Sequence, residues 1–249
     1  MSPTANYVSI LHHHQTFHVL RIHALLSHSL QLNPCSSYHG SETDISLLFL
    51  PGNHSLDCEL SVANVANFSM TKDVQNNESV IVICIGQSGR FNISVTVLTS
   101  VRGLHFTGCG SNTVTKVDLF KLEDTIFQSM YGGRVLELNM VDAAKIVRSS
   151  FFSNSTFSVS GEFIAATNSS FDVFDSAFSA GGGVMYTSGS SFNITSSTFT
   201  NNTAVYNSYT SDSAFNIINS TFINNTADYD GGVLVAVESS FNNTGSILS

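Results

Sequence analysis

A Ser-Ser/Ala-Phe triplet returns four times in the second half of this chain, and its spacing rules out most folds. It stands at Ser169-Ser170-Phe171, Ser190-Ser191-Phe192, Ser213-Ala214-Phe215 and Ser239-Ser240-Phe241, so successive Phe residues lie 21, 23 and 26 positions apart. Seven residues beyond each comes a second apolar residue: Phe178, Phe199, Phe222 and Leu248. Two residues beyond the first three Phe comes Val173, Ile194 or Ile217. The register extends backwards through Phe120, Leu122 and Phe127, then Ala144, Ile146 and Phe151, and more loosely through Val101 and Phe106. A self-similar period of this length marks a stacked repeat.

Glycine follows at twice the period. Gly132-Gly133, Gly182-Gly183 and Gly231-Gly232 each precede an apolar run, namely Val135–Leu138, Val184–Tyr186 and Val233–Val237. One unit reads as three short strands joined by turns, such as Val184–Tyr186, Phe192–Thr195 and Thr198–Thr200. Helical repeats of this length need amphipathic stretches of about ten residues, and none is present. Composition agrees: Ser and Thr number 61 of 249 residues, Asn 22 and Phe 19, with three Pro and no Trp. That mixture is poor in strong helix formers and rich in turn and strand residues. The spacing therefore predicts an all-β parallel solenoid of about 7–8 coils, in which each repeated position forms a column along the axis. The two Phe columns form its core. Asp172, Asn193, Asn216 and Asn242 form one polar column, and Asn201-Asn202 with Asn224-Asn225 form turn ladders.

The solenoid is expected over 44–249, starting with the strand around Leu47–Leu50 and a turn at Pro51-Gly52-Asn53. Further strands are expected at Leu60–Val65, Val80–Ile85 and Phe91–Leu98. Residues 1–43 read as a poorly ordered His-rich leader, with six of the nine His before position 29 and no alternating pattern. His14 and His18 would share a helical face, but no Cys or carboxylate lies near them, so no metal site is expected. Nor is any cofactor. The chain stops at Ser249, shortly after Leu248 and in mid-coil, which reads as part of a longer surface protein.

Charge restricts the partners. Nine Lys and Arg face eighteen Asp and Glu, a formal net charge of −9, and no basic cluster tracks along the sequence. Nucleic acid is excluded as a partner on that ground. No apolar run approaches the length of a membrane span.

At the repeat residues the sequence resembles the right-handed parallel β-helix superfamily, the pectin-lyase-like architecture. Phe151-Phe152-Ser153-Asn154, Phe199-Thr200-Asn201-Asn202 and Phe222-Ile223-Asn224-Asn225 are similar to the Phe-x-x-Asn half of the polymorphic outer-membrane-protein repeat. Gly182-Gly183-Val184 and Gly231-Gly232-Val233 resemble its Gly-Gly-Ala-Ile half. Leu47 to Leu56, an apolar run followed by Pro-Gly and a strand, looks like the first coil of many β-helix proteins, secreted animal proteins among them. The resemblance implies a right-handed coil.

Cysteines fall at 35, 58, 84 and 109, with no Cys-x-x-Cys pair. Intervals of 23, 26 and 25 bring Cys58, Cys84 and Cys109 into adjacent coils, and four Cys allow three pairings. The resemblance to animal proteins implies Cys84 with Cys109, which leaves Cys35 with Cys58. Eleven Asn-x-Ser/Thr sequons occur, at Asn53, Asn67, Asn77, Asn92, Asn154, Asn168, Asn193, Asn201, Asn219, Asn224 and Asn242. Composition alone would give about five. Sequons, an even number of cysteines and low charge point to an extracellular or cell-surface setting.

Two functions compete. Solenoid faces rich in Ser, Thr, Asn and Tyr suit a non-catalytic module for recognition, adhesion or scaffolding that contacts glycans or other surface proteins. The alternative is a polysaccharide lyase or glycoside hydrolase, which needs carboxylates converging on one groove. Asp212, Asp228 and Asp230 are its candidates, with Asp172 and Asp175 a further pair. No Lys or Arg follows Arg148, and the acid and base motifs of the pectin-degrading families are missing. The sequence reading therefore expects no enzyme.

Overall fold

In the computed structural model every regular element among the described residues is a strand, and every strand pairing is parallel. The structure describes residues 22–26, 31–32, 37–39, 44–49, 51–56, 59–72, 79–84, 89–128, 134–152, 162–179, 183–204, 208–227 and 235–248. Among these, no helix is long and apolar enough to cross a membrane.

One coil shows the plan. Gly183–Ser188 forms a first arm, Ser191–Thr195 a second, and Thr198–Thr200 a third. The first two belong to a 16-stranded sheet and the third to a 10-stranded sheet running from Gln31–Leu32 to Ile247–Leu248. Each strand hydrogen-bonds to its counterpart one coil away, so the molecule is a parallel β-solenoid whose repeat is the sequence repeat. In Ser170–Phe174 the burial alternates strictly, with Phe171 and Val173 inward and Ser170, Asp172 and Phe174 outward. Period-two alternation is what a strand buried on one face requires.

The columns have the expected register. Phe171, Phe192, Phe215 and Phe241 are successive partners, and the column continues upward through Ala144, Phe120, Thr99 and Phe68. The second column runs Phe106, Phe127, Phe151, Phe178, Phe199, Phe222 and Leu248. Its rings lie almost parallel, 4.8 Å apart at 1° for Phe178–Phe199 and 4.4 Å at 3° for Phe199–Phe222. Such contacts add about 0.5–1.5 kcal/mol each beyond area burial. At its upper end Val82 and then His54 take the Phe position, and the buried His54 meets Phe49 edge-on at 5.4 Å.

The first Ser of each triplet has a role that polar composition conceals. Ser169, Ser190 and Ser213 are buried at the corner between the first and second arms. Each Oγ accepts the N–H of the residue one coil above, as in Ser169 N–H to Ser190 Oγ at 3.2 Å and Ser190 N–H to Ser213 Oγ at 3.2 Å. Each also donates to the carbonyl two residues back. Thr125, Ser149, Ser176, Ser197 and Ser220 repeat this at the corner before the third arm. Corners strip backbone N–H groups of their sheet partners, and buried N–H groups must be paired. The hydroxyl ladders do this.

The residue just before each ladder Ser or Thr takes the left-handed conformation. At the first corner these are Asn168, Gly189, Asp212 and Glu238, and at the second Asp124, Arg148, Asp175, Ser196, Asn219 and Gly245. Higher in the solenoid the first corner bends without breaking. Lys116 and Met140 have positive φ inside continuous strands, Asn112–Glu123 and Arg134–Val147. There Val117 and Val141 replace the ladder Ser, and Val141 N–H is the last donor to it, on Ser169 Oγ at 3.1 Å.

Three expectations shift. The strand foreseen at Phe91–Leu98 is one such continuous strand, Arg90–Arg102. The foreseen turn at Pro51-Gly52-Asn53 reduces to a bend at Pro51, because Gly52–Leu56 already pairs with Val80–Cys84. Parallel pairing also begins before residue 44. Ile22–Leu26, Gln31–Leu32 and Ser37–His39 pair with Asp44–Phe49, Gly52–Leu56 and Glu59–Ala63. The rest of 1–43, with His14 and His18, lies outside the described residues. So do the glycine pairs, apart from Gly183, which opens its strand.

Candidate functional site

The outward face of the second arm carries the most regular array of polar groups. Because alternation sends Phe171 and Val173 inward, the residue between them must project outward, and the same holds one and two coils on. Asn193 Nδ2 donates to Asp172 Oδ1 at 2.7 Å, and Asn216 Nδ2 donates to Asn193 Oδ1 at 3.3 Å. Asn242 follows in register. Above Asp172 the column holds Lys145, Lys121, Ser100, Ser69 and Ser46, with a hydroxyl–hydroxyl bond between the last two. Ser191 Oγ donates to Ser170 Oγ at 3.1 Å on the neighbouring column.

Phe174 ends this face and is 47% exposed, one of the few large apolar side chains the described residues leave in solvent. A groove of about 410 Å³ beside it is lined by Lys145, Val147, Asp172, Asn193, Thr195 and Ile218. A shallower one of about 270 Å³ lies along Ser191, Asn193, Asn216, Ser240 and Asn242. Together they form a strip of amides, hydroxyls and one ring on a flat sheet.

At the edge of this face the second corner carries alternating charge. Lys72, Gly103, Asp124, Arg148 and Asp175 follow one another down the coils. Arg148 Nε donates to Asp124 Oδ1 at 2.7 Å, and Arg102 Nε lies 3.5 Å from Asp124 Oδ2. The Arg148 hydrogen bond, reinforced by both guanidinium charges, holds the Asp124 carboxyl below the usual carboxylate range. The same pairing raises Arg148. Beside this corner a cleft of about 530 Å³ has an apolar floor of Leu48, Val80, Leu104 and Ile126, with Lys72 and Arg102 at its rim. Glu59, on the first arm, is also lowered, first by the hydrogen bond from Asn92 and then by Arg90.

The carboxylates weighed for catalysis divide among separate elements. Asp212 sits exposed at the first corner, accepting a hydrogen bond from Ser211 Oγ at 3.0 Å. Asp175 is at the second corner, and Asp172 is engaged in the amide ladder. Asp228 and Asp230 lie outside the described residues. No three His, Cys, Asp or Glu side chains gather to hold a metal ion among the described residues.

Cys84 and Cys109 form a disulfide across adjacent coils, while Cys35 and Cys58 lie outside the described residues. Gly89 packs against the bridge: a Cβ there would fall 2.6 Å from Cys84 Cβ and 2.4 Å from the Leu56 carbonyl oxygen. Of the sequons, Asn77 and Asn154 lie outside the described residues. Asn53, Asn168, Asn193, Asn201, Asn219, Asn224 and Asn242 are exposed, and Asn67 and Asn92 are half-buried.

No family model matches the chain, and neither a curated protein nor a solved structure matches it. The family likeness rests on the motifs, whereas the parallel solenoid stands on the structure. Sequence reasoning named the Asp172–Asn193–Asn216–Asn242 column but missed Phe174. Its signal was present, since alternation from Phe171 puts position 174 on the outer face.

Proposed function

We propose that this chain is a non-catalytic extracellular module, a right-handed parallel β-helix that recognises extended polar ligands such as glycans through the outer face of its second arm. The observation that carries this reading is the exposed amide ladder ending beside the solvent-facing ring of Phe174. Neighbouring strands stand about 4.8 Å apart, so the ladder offers an acceptor at each coil from Asp172 to Asn242 and an amide donor at each of its Asn. A ligand with hydroxyls spaced along a chain meets several at once, and the ring supplies an apolar surface for a sugar's C–H face. Binding sites of this kind pair a little apolar area with a few well-placed polar groups. Right-handedness follows the general rule for parallel strands joined by a crossover. An oxidising compartment is supported by the Cys84–Cys109 bridge.

The test is an oligosaccharide array probed with the wild type, Phe174→Ala and Asn216→Ala. We expect at least one glycan class to be retained by the wild type and weakened about tenfold by Phe174→Ala, the equivalent of one contact near 1.4 kcal/mol. Retention that both variants leave unchanged would place the ligand elsewhere. Retention of nothing would remove the glycan reading.

A further inference from the structure

Seven of the eleven sequons divide by where their amides stand, and the division follows the fold. Asn67 Nδ2 donates to Asp44 Oδ1 at 2.6 Å, Asn92 Nδ2 to Glu59 Oε1 at 3.0 Å, and Asn193 Nδ2 to Asp172 Oδ1 at 2.7 Å. All three lie on sheet faces, each reaching an acidic residue one coil above. Asn168, Asn201, Asn219 and Asn224 stand instead at corners, in the left-handed conformation and exposed. At Asn168 the carbonyl side of the amide lies over the next coil. A Cβ on Gly189 would meet Asn168 Oδ1 at 2.6 Å, so it is the oxygen of the amide, not its nitrogen, that faces Gly189. Asn219 repeats this over Gly245, with Oδ1 2.5 Å from the position of a Cβ.

From this geometry we infer that N-linked glycans are carried at the corners, on Asn168, on Asn219 and on one of Asn201 and Asn224, and are kept off the ladder positions Asn67, Asn92 and Asn193. The inference rests on the extracellular reading, because the donor is the lipid-linked oligosaccharide of the secretory pathway. In the transfer, Nδ2 bonds to C1 of the donor's first sugar as the C1–O bond to its pyrophosphate breaks. The lipid pyrophosphate leaves with the electron pair, and the amide nitrogen gives up one proton.

A sugar at Nδ2 leaves one N–H where there were two and places a bulky group on the nitrogen. On a ladder Asn that nitrogen points along the sheet at a carboxylate one strand away, where the first sugar would collide with the neighbouring coil. At a corner the nitrogen faces water and loses nothing. Asn201 and Asn224 occupy the same corner in successive coils, following the partners Thr200 and Ile223. One strand spacing of about 4.8 Å leaves no room for two glycans side by side. The consequence is a molecule with sugars along its edges and none at Asn193 on the second-arm face, where the proposed ligand would lie.

The experiment is glycopeptide mass spectrometry of the full chain, secreted from a eukaryotic host behind a cleavable signal peptide and separated from unfolded material by size. Enzymatic release in heavy-oxygen water marks each formerly occupied Asn. The expected pattern is occupancy at Asn168 and Asn219, occupancy at Asn201 or Asn224 but not both on one molecule, and none at Asn67, Asn92 or Asn193. Asn168→Gln should remove one glycan's mass from the intact protein, and Asn193→Gln should leave the mass pattern unchanged. Sugar on a ladder Asn, or on both Asn201 and Asn224 of one folded molecule, would overturn the inference while leaving the extracellular reading intact. Absence of sugar at every sequon would overturn both.

Discussion

The backbone N–H of Ser149 donates to the side-chain Oγ of Ser176, 3.1 Å away and one coil further on. Ser176 Oγ donates in turn to the Phe174 carbonyl at 2.9 Å. One hydroxyl thus joins two coils at a corner where the sheet's own ladder is interrupted. Ser176→Ala removes the acceptor and leaves the buried Ser149 N–H unpaired. Such a loss costs about 1–3 kcal/mol. Chemical denaturation should show that destabilisation, while the exposed Ser170→Ala stays within about 0.5 kcal/mol of wild type. Equal effects at the two positions would deny the ladder its role.

Phe178 lies between Phe151 and Phe199, with ring centroids 4.7 Å and 4.8 Å away. Truncation to Ala opens a cavity in the middle of the stack and is expected to cost about 3–5 kcal/mol. Phe174→Ala, on the outer face, should cost well under half of that. Thermal melts of the two variants compare buried and exposed rings on neighbouring strands.

Reducing Cys84–Cys109, which closes a separation of 25 residues, should lower stability by about 3 kcal/mol. Gly89→Ala is expected to be harmful even with the bridge intact, because the added carbon lies 2.4 Å from backbone at Leu56. Urea titrations with and without reductant measure the first effect. A wild type indifferent to reductant would show that the bridge contributes nothing.

Asp124 has its carboxyl depressed by Arg148 and Arg102. A depressed folded pKa contributes stability above the unfolded value, near 3.9, and that stability is lost as pH falls through the lower folded value. The pair is well exposed to solvent, so the contribution is small. Stability of wild type minus Asp124→Asn, followed from pH 6 down to pH 2, should shrink towards the acid end. A difference that is flat or grows on acidification would contradict the assignment.

The parts of the fold legible in the sequence are those with large, distinctive residues at fixed offsets. Phe171, Phe192 and Phe215 announce an inward column because nothing else in a Ser-rich chain is as apolar, and period two then sends Asp172, Asn193 and Asn216 outward. The ladder serines were hidden for the opposite reason. Ser is common throughout, and a buried Ser looks like any other until its place two residues before each Phe is compared on both columns. Ile22–Leu26 was illegible because His interrupts its apolar pattern and neither Phe nor Gly fixes its register. Continuous and broken strands were indistinguishable because the corner residue does not decide between them: the strand breaks at Val65 but runs on through Thr96, Val117 and Val141. In the candidate site the polar column was readable. The corner charge row was not, since Lys72, Asp124 and Arg148 meet only through register.

The most direct measurement is to incubate the secreted protein with a panel of acidic and neutral polysaccharides and record, on the same samples, retention of polymer and its chain length by mass spectrometry. The account expects at least one polymer to be retained, every polymer to keep its length, and retention to fall in Phe174→Ala. Shortened or unsaturated oligosaccharides would contradict it and turn attention to Asp212, Asp228 and Asp230.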